Sequence, residues 1–193
     1  MNAENQNPTS DTREAGGGPT AADTLATWLH YLEGLHPRAI DLGLERVRVV
    51  WQRLGSPRPA PVCVVVGGTN GKGSTVAFLS AMLTAAGRRV GTYTSPHLLR
   101  YNERVTIAGA EADDGRLVDA FVRIDEARGE ISLSYFEFGT LAAFLILADA
   151  KLDVAVLEIG LGGRLDAVNL IDADAAILTS VDLDHQDYLG DTR

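Results

Sequence analysis

One cysteine in 193 residues rules out an internal disulfide, and Cys63 lies in an apolar run where a small buried residue belongs. Aromatic residues make up only 6% of the chain, and no apolar run approaches the length that a bilayer crossing needs. Positive charge is scarce too. The 17 Lys and Arg against 26 Asp and Glu leave a net charge of -9, which argues against a nucleic-acid partner. An anionic ligand would therefore be held by local donors or a metal rather than by the overall field. No secretory leader is evident, and together with the lone cysteine this fits a reducing cytoplasm with no membrane partner. What remains is ordinary for a globular protein: 46% hydrophobic and 22% charged residues, and enough length for one domain with a real core.

The stretch Val62-Cys63-Val64-Val65-Val66-Gly67-Gly68-Thr69-Asn70-Gly71-Lys72-Gly73-Ser74-Thr75 organises the chain. Its apolar half reads as a buried strand, and a glycine-rich turn with one lysine follows. Ser74-Thr75 then open an apolar helical run through Ala77, Leu79, Met82 and Leu83. Strand, glycine loop and helix together let backbone N–H groups and a helix amino terminus face a phosphate, with Lys72 as a point charge for the outer phosphates. The match to G-x-x-x-x-G-K-[ST] is imperfect, since Val66 stands where glycine is expected and Gly73 where Ser or Thr is.

Met1 to Ala22 read as a disordered tail, rich in Asn, Thr, Gly and Asp. Asp23 is the expected cap of a helix carrying Leu25, Trp28, Leu29 and Leu32; a second helix carries Leu44, Val47, Val50, Trp51 and Leu54. Beyond the loop helix, the pattern predicts strands over 90–94, 102–107, 153–159 and 174–179, and helices over 114–128 and 136–150. Strands alternating with helices imply right-handed β-α-β units and a mostly parallel sheet flanked by helices. In such sheets ligands bind beyond the carboxyl ends of the strands. The glycine loop, Ser95, Glu158 and the segment Asp182-Leu183-Asp184-His185 all fall at such ends. Glu158, closing a buried strand beside a phosphate loop, suits a Mg²⁺-holding acid; Ser95 offers a hydroxyl, and His185 an imidazole that is less usual for Mg²⁺. Arg104 and Arg164 could steady a carboxylate or phosphate, or simply face solvent.

Six stretches occur in one order: Gly68 to Ser74, Thr94-Ser95-Pro96-His97-Leu98, Asn102-Glu103-Arg104, Phe136-Glu137, Glu158 to Asn169, and Leu183-Asp184-His185. Together they resemble the Mur ligase family of ATP-dependent amide-forming enzymes, and within it the folate-glutamylating branch. The resemblance runs from about His36 to the end. It implies that ATP phosphorylates the carboxylate of dihydropteroate, or of a growing folate glutamate tail, and that the amine of L-glutamate attacks the resulting acyl phosphate. By this resemblance Thr69, Asn70, Gly71, Lys72, Gly73 and Ser74 hold the ATP phosphates. Ser95, Glu158 and His185 are the Mg²⁺ ligands, and Lys72, Glu158 and His185 carry the catalysis. Ile40, Asp41, Leu42, Ser134, Tyr135, Phe136, Glu137, Leu165, Asp166 and Ala167 fall where the family builds its pterin pocket.

Two departures accompany the match. No lysine follows His185, where the family carries a carbamylated one, and the family's second α/β domain, which binds glutamate, is absent. The expectation is a monomeric ATP-binding domain over 23–193, truncated at its carboxyl end and unable to ligate glutamate alone. A peptidoglycan Mur ligase and a non-catalytic ATP-binding fragment stay open as alternatives.

Overall fold

The computed structural model describes residues 18–37, 41–185 and 190. Among them six strands form one sheet: β1 (Val62–Gly67), β2 (Val90–Tyr93), β3 (Val105–Ile107), β4 (Ala110–Glu111), β5 (Val154–Glu158) and β6 (Ala175–Leu178), in the order β4-β3-β2-β5-β1-β6. β2, β5, β1 and β6 run parallel, while β3 and β4 return antiparallel at one edge. The parallel half is as the sequence predicts. The edge differs: Tyr101–Arg104 coil into a single 3₁₀ turn before β3 begins, and β4 is too short to leave a period-two signal.

Five α-helices cover the sheet: α1 (Leu25–Gly34), α2 (Glu45–Arg53), α3 (Lys72–Ala85), α4 (Asp114–Arg128) and α5 (Tyr135–Asp149). Side-chain parity along β1 and β5 sorts two layers. Val64, Val66, Val154 and Val156 pack with Val76 of α3 on one face. Cys63, Val65, Ala155 and Leu157 point the other way, into the main core with Trp28, Trp51, Phe121 and Phe144. α5 is buried on nearly every side, so its sequence is apolar all round. On α3 only Val76 is fully buried, and Met82, expected in the apolar stripe, is exposed with Phe78.

Helix starts are locally encoded. α1 is capped by Thr24, whose hydroxyl accepts from Thr27 N, rather than by Asp23. Asp23 instead accepts from the Thr20 amide and hydroxyl, and the Trp28 indole donates to Thr20 O, so residues at the end of the stretch read as a tail are tied to α1. α5 opens with a capping box: Ser134 Oγ accepts from Glu137 N, and Glu137 returns a carboxylate oxygen to Ser134 N. No described helix is long and apolar enough to cross a membrane.

Candidate active site

The carboxyl ends of β1, β2, β5 and β6 lie on one rim, and each carries part of the site. The loop after β1 is pinned to the chain leaving β6. Thr69 N donates to Ser180 O at 2.8 Å, Asn70 N to Ser180 Oγ at 3.1 Å, and Asp182 N to Thr69 Oγ1 at 2.9 Å. Gly68 makes this approach possible. Its φ is +130°, and a Cβ there would lie 2.1 Å from Thr179 Oγ1. Gly68→Ala should therefore destabilise the protein by about 3 kcal/mol and abolish nucleotide binding, as read by a thermal melt with and without AMPPNP.

Lys72 is the first residue of α3, so the loop ends where a helix N-terminus begins. Its Nζ donates to the loop's own carbonyls, Gly68 O at 2.8 Å and Thr69 O at 3.3 Å. Gly68, Thr69, Lys72, Gly160, Leu161, Asp184 and His185 are among the residues that line a cavity of about 190 Å³ with a mixed polar and apolar wall. Asn70, Gly71, Gly73 and Ser74 lie outside that wall. Asn70 braces the loop, Gly71 takes the left-handed conformation that starts α3, and Ser74 is exposed on its first turn.

Glu158 shares the parity of Val154 and Val156, so its side chain projects to the α3 face of the sheet. There a Cβ on Gly73 would come within 3.8 Å of the carboxylate. Oε2 accepts from Ser95 N at 3.1 Å, and Oε1 takes no hydrogen bond among the described residues. Burial pushes the Glu158 carboxyl above its usual range, while the Ser95 amide and the Lys72 charge oppose that shift. Glu158, Ser95 and Lys72 are thus neighbours. His185 joins them on the rim, its amide bonded to Asp184 Oδ1 and its backbone φ at +48°.

A second, more apolar cavity of about 230 Å³ opens beside the first. Its wall includes Asp41, Leu42, Ser134, Phe136, Glu137, Leu165, Asp166 and Ala167, drawn from three distant segments. Of the residues expected in the pterin pocket, Ile40 lies outside the described residues. Tyr135 is not in the wall; its ring sits behind it, edge-on to Tyr101 at 5.9 Å. Gly43, Ser95, Pro96, Arg104, Gly160, Leu161 and His185 complete the lining. Gly160, Leu161 and His185 border both cavities. Pro96, Gly160 and Leu161 escaped the sequence reading as site residues, although the glycine run after Glu158 marked the place.

Two ionic arrangements shape this second wall. Arg46 bridges Asp41 at 2.8 Å and Glu137 at 3.0 Å, joining the segment before α2 to the start of α5. Asp166 is buried, and its carboxylate accepts from Gly160 N, Leu161 N and Val168 N at 2.8–3.0 Å. Burial outweighs those three bonds and pushes Asp166 up to about 6. The folded state thus keeps the proton to higher pH than the unfolded chain. This contribution to stability is complete below about 3.8 and is lost as pH rises through about 6. Melts of wild type and Asp166→Asn between about pH 5 and about pH 7 should show the wild type losing roughly 1 kcal/mol relative to the variant. Parallel curves would contradict the shifted carboxyl.

A glycine loop after β1, a carboxylate at the end of the neighbouring β5 and an adjoining apolar chamber are arranged as in the middle domain of the Mur ligases. Residues 66–193 match the Mur ligase middle domain, and the chain belongs to that family. Among its relatives, the dihydrofolate synthase/folylpolyglutamate synthase of Escherichia coli strain K12 is 55% identical over 175 residues, which span 91% of this chain and 42% of that protein. The structure of E. coli FolC in complex with DHPP and ADP superposes with a TM-score of 0.88 at 55% identity, over 90% of this chain and 42% of that one. A bifunctional folylpolyglutamate synthase/dihydrofolate synthase with Mn, AMPPNP and L-glutamate bound gives 0.85 at 55% identity, over 91% and 43%. The chain spans about two fifths of the length of the curated relative it matches.

Proposed function

We propose that this chain is the nucleotide- and acceptor-binding part of an ATP-dependent ligase that adds L-glutamate to dihydropteroate, to folate glutamates, or to both, through an acyl phosphate. One observation carries the reading: the phosphate-type cavity and the apolar cavity share Gly160, Leu161 and His185. A ligand filling the apolar chamber can present a carboxylate where the outermost phosphate of a bound nucleotide ends. The relatives support the same pairing, since one binds DHPP with ADP and another binds AMPPNP, Mn and L-glutamate.

In this reading the loop amides from Thr69 to Ser74 and the amino end of α3 hold the phosphates. Lys72 exchanges its two loop carbonyls for phosphate oxygens and neutralises charge as the phosphoryl group moves to the acceptor. Phe136 and Leu165 give the chamber apolar surface for a flat ring, and Asp41, Glu137 and Asp166 supply acceptors for ring N–H groups. The lining also keeps water away from the acyl phosphate. Among the described residues no three His, Cys, Asp or Glu side chains form a metal cage. That suits Mg²⁺, which takes few protein ligands and completes its shell with phosphates and water. Ser95, Glu158 and His185 would hold it, Glu158 through the oxygen left free, and the bound ion would screen phosphate charge. A cytoplasmic setting accords with a nucleotide substrate.

The test is binding of dihydropteroate by this chain, followed by fluorescence titration with and without Mg-AMPPNP. The expected result is saturable binding that the nucleotide strengthens. Binding of a UDP-linked peptidoglycan precursor with no response to dihydropteroate would replace this reading with the peptidoglycan one.

A further inference from the structure

Four charged side chains besides His185 line the apolar cavity: Asp41, Glu137, Asp166 and Arg104. Three are already answered. Arg46 faces both Asp41 and Glu137, and three backbone amides face Asp166. Arg104 is different. It is only 8% exposed, yet no carboxylate pairs with it among the described residues.

Its surroundings orient it without neutralising it. Nε donates to His97 Nδ1 at 2.9 Å, which requires that ring nitrogen to carry a lone pair. The guanidinium carbon lies 5.2 Å from the Tyr101 ring centre and 5.7 Å from that of Tyr135. The Tyr93 phenol, pushed up to about 12 by burial, is a further polar neighbour and carries no charge at neutral pH. Aromatic faces and a neutral imidazole fix a planar cation in place but leave its charge open. A desolvated cation beside a cavity, without a partner, is stabilised when a ligand brings the opposite charge.

We propose that Arg104 anchors a carboxylate of the ligand that occupies this cavity. The inference rests on the acceptor reading above and names the group that recognises the acceptor's charge. Two carboxylates share the required chemistry: the one on the benzoyl end of a pteroate, and the α-carboxylate of a glutamyl tail. Either matches the fork of a guanidinium.

The experiment compares wild type with Arg104→Gln and Arg104→Lys, using four probes: dihydropteroate, dihydrofolate, 6-hydroxymethylpterin (which lacks a carboxylate) and Mg-AMPPNP. Arg104→Gln should weaken the carboxylate probes by about 10- to 100-fold and leave the pterin alcohol and AMPPNP unchanged. Arg104→Lys keeps the charge without the fork and should fall between. Loss for dihydropteroate alone assigns the benzoyl carboxylate, loss for dihydrofolate alone assigns the tail's α-carboxylate, and loss for both means that Arg104 takes whichever carboxylate the ligand presents; each supports the anchor. Equal loss for 6-hydroxymethylpterin, or no loss for any probe, overturns it. Wild type that binds none of the three pterins overturns the acceptor reading itself. If Arg104→Gln also loses AMPPNP and so has not folded, the lysine variant decides by the same comparison.

Discussion

Lys72→Met should weaken binding of AMPPNP by about 100-fold, because it removes the one cation of the 67–74 loop, which in the proposed reading meets the outer phosphates. The effect on ADP should be smaller, since the loop amides and the helix terminus remain for the inner phosphates. The acceptor cavity shares no wall with Lys72, so binding of dihydropteroate in the absence of nucleotide should not change. Calorimetric titration of the three ligands reads all of this. Equal losses for ADP and AMPPNP would mean that Lys72 acts on loop shape, through its bonds to Gly68 O and Thr69 O, rather than on the outer phosphate.

Glu158→Gln should remove most of the gain in AMPPNP affinity that a divalent ion provides, while binding of the metal-free nucleotide stays the same or improves. The amide still accepts from Ser95 N, so the strand end keeps its shape. What disappears is the negative charge beside the phosphates. The pH dependence gives a second reading. Burial raises the Glu158 carboxyl, so its proton leaves above the ordinary carboxylate range. Divalent-assisted binding in wild type should therefore strengthen as pH rises through the mildly acidic region, and Glu158→Gln should flatten that rise. A variant that keeps the full divalent gain at every pH would dismiss Glu158 as a metal ligand.

The sequence carried the rim well because its parts are local. A valine run closing on glycines gives β1 and its loop, and alternation along Val154 to Glu158 puts the glutamate on the side of α3. The segment from Ser95 to Arg104 braces itself: the Glu103 carboxylate collects the amides of Leu98, Leu99 and Arg100, and Arg104 meets His97. Motifs of that kind are legible as blocks. What stayed hidden depends on pairs far apart in the chain. Nothing near Arg46 signals that it holds Asp41 and Glu137, which lies 91 residues away. The antiparallel edge was unreadable because a two-residue strand has no period, and the helix cap passed from Asp23 to Thr24 because Asp23 closes a turn with Thr20.

The central claim is that residues scattered from Thr69 to His185 bring a nucleotide's outer phosphate and an acceptor's carboxylate to one shared wall. Paramagnetic relaxation by Mn²⁺ tests it most directly, in a complex of the chain with Mn-AMPPNP and dihydropteroate labelled with ¹³C at its carboxylate and on its pterin ring. The account predicts strong enhancement at the carboxylate carbon, placing it within about 10 Å of the ion, and a weaker effect at the pterin. A stronger effect at the pterin ring, or none at either label with both ligands bound, would contradict it.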